Sequence, residues 1–213
     1  MPSKNLIILF GGRSVEHEIS VRSATNVVKY IDPTHFNLSV IGISKGGNWF
    51  LLDHPEQGIE TGKEIFLFLS ATHPHFEIKA SGTSIAIQIV FPILHGTDGE
   101  DGSIQGLMQC LNVILIGSSV LGSAISMDKI VSKKLLEHAG VPVVPYMSFT
   151  KDEEISFEEV KNKLGLPFIV KAGNLGSSVG ISKVNTLEDF DDALIDSFKY
   201  GYEILIESFV KCR

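Results

Sequence analysis

The stretch Leu6-Ile7-Ile8-Leu9-Phe10-Gly11-Gly12-Arg13-Ser14-Val15-Glu16 decides the fold. Five consecutive apolar residues, cut off by a glycine pair, suit a short strand buried on both faces better than one face of a helix. Ser14 is placed to cap a helix over 15–31, and Asp32-Pro33 would end it. A doubly buried strand that turns straight into a helix is the usual opening of a parallel α/β sheet.

Working outward, 37–44 alternates like a strand, and 48–52, after Gly46-Gly47, reads as its hairpin return. Residues 53–83 are weakly patterned and read as loop with at most one more strand. Residues 85–91 read as a single strong strand, Asp101 as the cap of a helix reaching about Leu111, and 113–116 as a short buried strand. The order β-α-β-β-α-β predicts an open, mostly parallel, Rossmann-like sheet for an N-terminal domain over 1–122. Gly117 to Gly122 reads as a hinge to a second α+β domain over 123–213. There, helix 127–139 would be capped by Ser126 and stopped by Gly140. Helices 156–164 and 186–199 open with capping boxes, Ser156 with Glu159 and Thr186 with Asp189. Strands are predicted over 143–149, 166–172, 181–184 and 202–210. The last carries Ile204, Ile206 and Phe209, which need a covering layer, so this second domain is expected to be incomplete.

The chain has 213 residues, 44% hydrophobic and 20% charged, a globular composition. Its 18 Lys+Arg against 25 Asp+Glu give a formal charge of −7, which disfavours a nucleic-acid partner. Two cysteines, Cys110 and Cys212, can build neither a disulfide framework nor a four-thiolate zinc site, and a reducing, cytoplasmic compartment is expected. The uncharged stretch from Gly102 to Met127 is broken by glycines, glutamines, serines and an asparagine, so no membrane insertion is expected.

Ligands of open α/β sheets bind beyond the carboxyl ends of the strands. The loop at Gly11–Glu16 and the loop His95-Gly96-Thr97-Asp98-Gly99-Glu100-Asp101-Gly102 should therefore meet at one edge. Glu16, in a first helical turn, stays ionised. Beside His95 it suits a ligand's ammonium group, or it merely complements the helix dipole while His95 is an ordinary turn residue. The acidic loop fails as a calcium loop, since Gln109 stands where the bidentate Glu is needed. His73-Pro74-His75 reads as a polar loop rather than a metal site, and no metal ligands are assigned. The loop Gly173 to Gly180 is neither a Walker A nor a dinucleotide fingerprint, yet its amides and hydroxyls suit phosphates. Lys171 before it, with Lys129, Lys133 and Lys134 on the preceding helix, can supply cations. Gly176-Ser177-Ser178-Val179-Gly180 matches a hydrolase elbow in letters only, because a strand follows and no histidine lies after Ser178.

Taken together, these segments resemble the D-alanine–D-alanine ligases. Gly11 to Ser20, His95 to Gly106, Ser126-Met127-Asp128-Lys129, Val170-Lys171 with Gly176 to Gly180, and Glu207 before Phe209-Val210 match that family's motifs in order. The resemblance implies an ATP-grasp enzyme that joins two D-alanines through a D-alanyl phosphate for peptidoglycan. It implies an N-terminal domain, an ATP-grasp central domain and a C-terminal catalytic domain. The last, with its Mg2+ ligands, is expected to be absent here, leaving a chain inactive by itself. The alternatives are a non-catalytic dimerising or binding fragment, or a ligase that uses D-lactate or D-serine. By resemblance, Glu16 binds the first D-alanine's ammonium group, His95 lies beside it, and Ser177 helps to position Glu16. Lys129, Lys171 and the loop residues Gly176 and Ser178 contact ATP phosphates, and Glu207 and the backbone at Val210 receive the adenine. A homodimer in the cytoplasm is implied as well.

Overall fold

The computed structural model describes residues 4–174 and 180–211. The chain divides into two compact units, Met1–Ala124 and Ile125–Arg213.

Unit 1 opens with β1 (Lys4–Gly11), α1 (His17–Tyr30), β2 (Phe36–Ile43) and β3 (Trp49–Leu52). Beyond two short 3-10 turns lie β4 (Lys63–Phe68), β5 (His75–Ile78) and β6 (Ser84–Ala86). Then follow β7 (Ile89–Pro92), α2 (Ser103–Cys110), β8 (Ile114–Leu115) and α3 (Val120–Met127), which carries the boundary between the units. Eight strands form one sheet in the order β6-β5-β4-β3-β2-β1-β7-β8. Strands β2, β1, β7 and β8 run parallel, while β3 to β6 add an antiparallel wing.

Period-2 alternation explains the central strand. Ile7 and Leu9 enter a core shared with Ile104 and Met108 of α2. Ile8 and Phe10 enter the opposite core with Ala24 of α1. The two crossover helices therefore cover opposite faces, and the order in which parallel strands are added reverses between β1 and β7.

Three expectations change here. Residues 53–83 hold two strands, β4 and β5, not one at most. The run 85–91 is not one strand: β6 pairs with β5 at the far edge, whereas β7 pairs with β1. An apolar run interrupted only by Gln88 hides this change of partner, which Asn5 fixes by donating its backbone N–H to Gln88 Oε1 (2.8 Å) and its Nδ2 to the Ala86 carbonyl (3.3 Å). The expected hinge at 117–122 ends inside α3, whose apolar residues keep the chain helical through Gly122. His75 lies in β5 and stacks on Phe68.

Unit 2 contains α4 (Lys129–His138), β9 (Tyr146–Thr150), α5 (Phe157–Leu164) and β10 (Phe168–Ala172). It continues with β11 (Ile181–Val184), α6 (Leu187–Ser197) and β12 (Glu203–Ser208). Its sheet is antiparallel, in the order β11-β10-β12-β9. One face, with Phe168, Val170, Ile204 and Ile206, packs on Val160 of α5 and Phe190 of α6. Alternation sends Lys171, Leu205 and Glu207 to the other face. Thr186 and Asp189 form the full reciprocal cap of α6, and the Ser156 side chain accepts from the Glu159 N–H. The cap of α4 is Asp128 rather than Ser126. Asp128 Oδ1 accepts from the N–H groups of Ile130 (3.0 Å) and Val131 (2.9 Å), and α3 runs on through Ser126. Among the described residues no helix is long and apolar enough to cross a membrane.

Candidate functional site

In unit 1 the carboxyl end of β1 is tied down by buried polar contacts. Ser20 of α1 is fully buried, accepts from the Gly11 N–H (2.7 Å) and donates to the Ile93 carbonyl (2.6 Å). One hydroxyl thus joins the ends of β1 and β7. His17 Nδ1 donates to the Gly12 carbonyl at 2.7 Å. Gly11 has φ +87, and a methyl group there would overlap the Ile43 carbonyl, so the turn requires glycine.

Glu16 immediately precedes α1 and is only 7% exposed. Ser14 Oγ accepts its backbone N–H at 3.1 Å. The Glu16 carboxylate and the Ser14 hydroxyl lie against Gly96, where a side chain would collide with both. Arg13 reaches the same second loop, with Nη2 at 2.7 Å and Nε at 3.0 Å from Asp98 Oδ2. His95 Nε2 is 3.1 Å from Ser23 Oγ, and its Nδ1 is 3.9 Å from Glu100 Oε1. Glu100 Oε2 accepts the Gly96 N–H at 2.8 Å. The loops at 11–16 and 95–102 do converge, and they bring Glu16 to the turn that follows His95. Asp101 caps α2 less directly than expected: its Oδ1 accepts from the Ser103 N–H (3.0 Å) and its Oδ2 from the Asp98 N–H (2.9 Å). Ser20 and Ser23 escape sequence reading, because a serine on the inward face of a helix reads as a small filler.

In unit 2 the polar face of the sheet meets α4. Lys129 and Lys133, four residues apart, share one helix face. Lys133 Nζ donates to the Val144 carbonyl (3.0 Å), lies 3.1 Å from Glu207 Oε2 and sits 5.0 Å from the Tyr146 ring centre. Lys171 Nζ bonds the other oxygen, Glu207 Oε1. Burial alone would raise the Glu207 carboxyl, but the hydrogen bonds and charges of Lys171 and Lys133 outweigh it and hold it below its ordinary value. Burial and the Lys171 charge, only partly offset by Asp128 and Glu207, hold the Lys129 ammonium below the usual lysine range. Three lysines around one carboxylate leave an excess of positive charge suited to a polyanion. Lys134 is exposed and stays outside this cluster. Lys183 Nζ lies 4.2 Å from the Phe209 ring centre, beside half-exposed Val210. Tyr146, pushed up by burial and by donating to Glu137 Oε2 (2.9 Å), is a neighbour the sequence did not single out. The expected loop residues Gly176, Ser177 and Ser178 lie outside the described residues.

Comparisons with known proteins agree along the chain. The model of the D-ala D-ala ligase N-terminus matches residues 5–118, and that of the D-ala D-ala ligase C-terminus matches residues 135–213. A D-alanine–D-alanine ligase of Shouchella clausii (strain KSM-K16) is 41% identical over 228 residues, covering 100% of this chain and 62% of the relative. The chain therefore spans about three-fifths of that relative's length. The solved D-alanine–D-alanine ligase from Coxiella burnetii superposes with a TM-score of 0.90 at 32% identity, over 99% of this chain and 65% of that one. The Bacillus anthracis D-alanine–D-alanine ligase complexed with ATP gives 0.69 at 26% identity, over 98% and 60%. With the N-terminal model alone covering more than half of its length, the chain belongs to the D-alanine–D-alanine ligase family.

Proposed function

We propose that this chain is the substrate-binding and nucleotide-binding portion of an ATP-dependent D-alanine–D-alanine ligase. The observation that carries the reading is buried Glu16, held against the Gly96 turn beside His95. A carboxylate so withdrawn from water gives a strong, directional counter-charge to an ammonium group. Glu16 binds the amino group of the first D-alanine, and His95, oriented by Ser23, lies beside that substrate. The carboxylate of D-alanine must then approach a phosphate, one anion meeting another. Lys129 and Lys171 supply the positive charge that makes this approach possible. Gly176, Ser177 and Ser178, which lie outside the described residues, enter this reading only as contributors to phosphate binding and to the active site. Glu207 and the backbone at Val210 receive the adenine once Glu207 is partly released from its lysines.

The lysine-rich cluster fits a triphosphate by its charge. A Mg2+ site does not emerge: among the described residues no group of three or more His, Cys, Asp or Glu side chains could hold a metal ion. The same reading makes the protein a cytoplasmic homodimer serving peptidoglycan synthesis.

The test is D-alanine-dependent release of phosphate from ATP by the complete protein. Glu16→Gln should raise the KM for the first D-alanine roughly 10- to 150-fold, the worth of a hydrogen bond to a charged group. Phosphate release that ignores D-alanine would overturn the ligase reading, and an unchanged KM and kcat for Glu16→Gln would remove Glu16 from the site.

A further inference from the structure

Leu94 and His95 are consecutive, yet they serve opposite sides of the sheet. His95 turns to Ser23 of α1, while Leu94 enters the core on the α2 side. On that α2 side, beyond the carboxyl ends of β1, β2 and β7, unit 1 contains a cavity of about 430 Å3. Neither Glu16 nor His95 lines it. Its size falls among small-molecule sites, roughly 300–1,000 Å3. Its position is the switch point of an open α/β sheet, where the crossover helices leave to opposite faces.

The lining is amphipathic. Trp49, Leu94, Ile104 and Leu107 give it an apolar body, and Arg13 and Asp98 give it charge. Gly12 and Gly47, both at positive φ, bring bare backbone to the wall. Arg13 spends Nη2 and Nε on one oxygen, Oδ2 of Asp98. The two side chains are 64% and 41% exposed, so the pair is weakly held and opens readily to a competitor. A guanidinium beside a carboxylate, over an apolar cavity, matches a ligand that carries both charges next to an aliphatic group. We infer that this cavity is a second small-molecule site, separate from the Glu16 cluster, that takes a free α-amino acid with an aliphatic side chain. The ligand's carboxylate meets Arg13, its ammonium meets Asp98, and its side chain lies toward Trp49 and Leu107. This site goes beyond the ligase reading and does not depend on it.

Trp49 is the only tryptophan in the chain, so intrinsic fluorescence reports on this cavity directly. Titration of the 213-residue chain with L-leucine should give a saturable change with a midpoint at or below about 1 mM. Isovalerate, which lacks the ammonium, and isoamylamine, which lacks the carboxylate, should each bind at least about tenfold more weakly. Arg13→Gln and Asp98→Asn should each weaken leucine by about tenfold or more. Both side chains are exposed, and Asn accepts the left-handed backbone at Asp98 (φ 68), so both variants should fold. Glu16→Gln should leave the titration unchanged. The inference is overturned if leucine gives no saturable change, if isovalerate or isoamylamine binds as well as leucine, or if Glu16→Gln abolishes the signal.

Discussion

Lys171 and Glu207 are diagonal neighbours on adjacent antiparallel strands. The register sets Lys171 opposite Leu205 and Glu207 opposite Ile169, and the long lysine reaches across to Glu207 Oε1. Lys133 takes Oε2, and all three side chains are less than a fifth exposed. One carboxylate therefore serves two ammonium groups that have little water of their own. Glu207→Gln should destabilise unit 2 by about 2–4 kcal/mol, near the cost of breaking a buried ion pair. Urea unfolding followed by circular dichroism measures it. A loss within about 0.5 kcal/mol, the range of ordinary surface changes, would mean that the lysines do not need this partner.

The same group sets an acid limit. The native Glu207 carboxyl titrates below its ordinary value of 4.5, so in acid the native state binds fewer protons than the unfolded chain. The stability that Glu207 provides is complete above pH 4.5 and is lost as the pH falls through its native value. The stability gap between the wild type and Glu207→Gln should stay constant near neutrality and close in acid. A gap that persists to the lowest pH at which both proteins fold would assign the effect to packing.

These relationships were not equally legible in the sequence. Strand β1 was, because Leu6–Phe10 ends on two glycines and no helix explains that pattern. The wing β4–β6 was not: charged and polar residues interrupt its short apolar pairs, and its pairing depends on neighbours already in the sheet. The loops holding Glu16 and His95 could be brought together by the strand-end rule alone. That Lys133 and Lys171 share Glu207 could not, because it rests on a register between strands 36 residues apart. Asp128 displaced Ser126 as the cap of α4 because α3 continues further than its glycine suggests.

Ser20, fully buried, makes two hydrogen bonds through one hydroxyl. Ser20→Ala leaves the Gly11 N–H and the Ile93 carbonyl without their bonds to this hydroxyl, in a region sealed from water. Each orphaned group costs about 1–3 kcal/mol, so a loss of about 2–6 kcal/mol is expected in unit 1. Ser20→Cys, which keeps a weak donor and acceptor, should recover part of it. Equal losses for the two variants would show that volume at this site, not hydrogen bonding, is what matters.

Lys129 trades stability for charge. Burial and Lys171 disfavour its ammonium form in the native chain. Lys129→Met keeps the length of the side chain and removes the charge, and should raise the stability of unit 2 by roughly 0.5–1 kcal/mol. If Lys129 contacts phosphates, the same change should weaken ATP binding, measured by titration calorimetry on the complete protein. A variant that is no more stable, yet still binds ATP normally, would deny both halves.

Gly96 and Gly82 separate backbone strain from displacement of Glu16. Both glycines have positive φ, +71 and +67. A methyl group at Gly82, in the turn between β5 and β6, meets nothing within 4 Å, so Gly82→Ala bears backbone strain alone, about 1–2 kcal/mol. A methyl group at Gly96 meets the Glu16 carboxylate and the Ser14 hydroxyl. Gly96→Ala therefore bears the same strain and must also push Glu16 out of place. Unfolding should find Gly96→Ala the less stable of the two. If Glu16 binds the first D-alanine as proposed, the KM for that substrate in the complete protein should rise for Gly96→Ala and stay at the wild-type value for Gly82→Ala. Equal KM values would mean that Glu16 moves without consequence for the substrate. Equal stabilities with a raised KM for Gly96→Ala alone would mean that the Glu16 loop yields easily, so that Gly96 acts through the position of the carboxylate rather than through the fold.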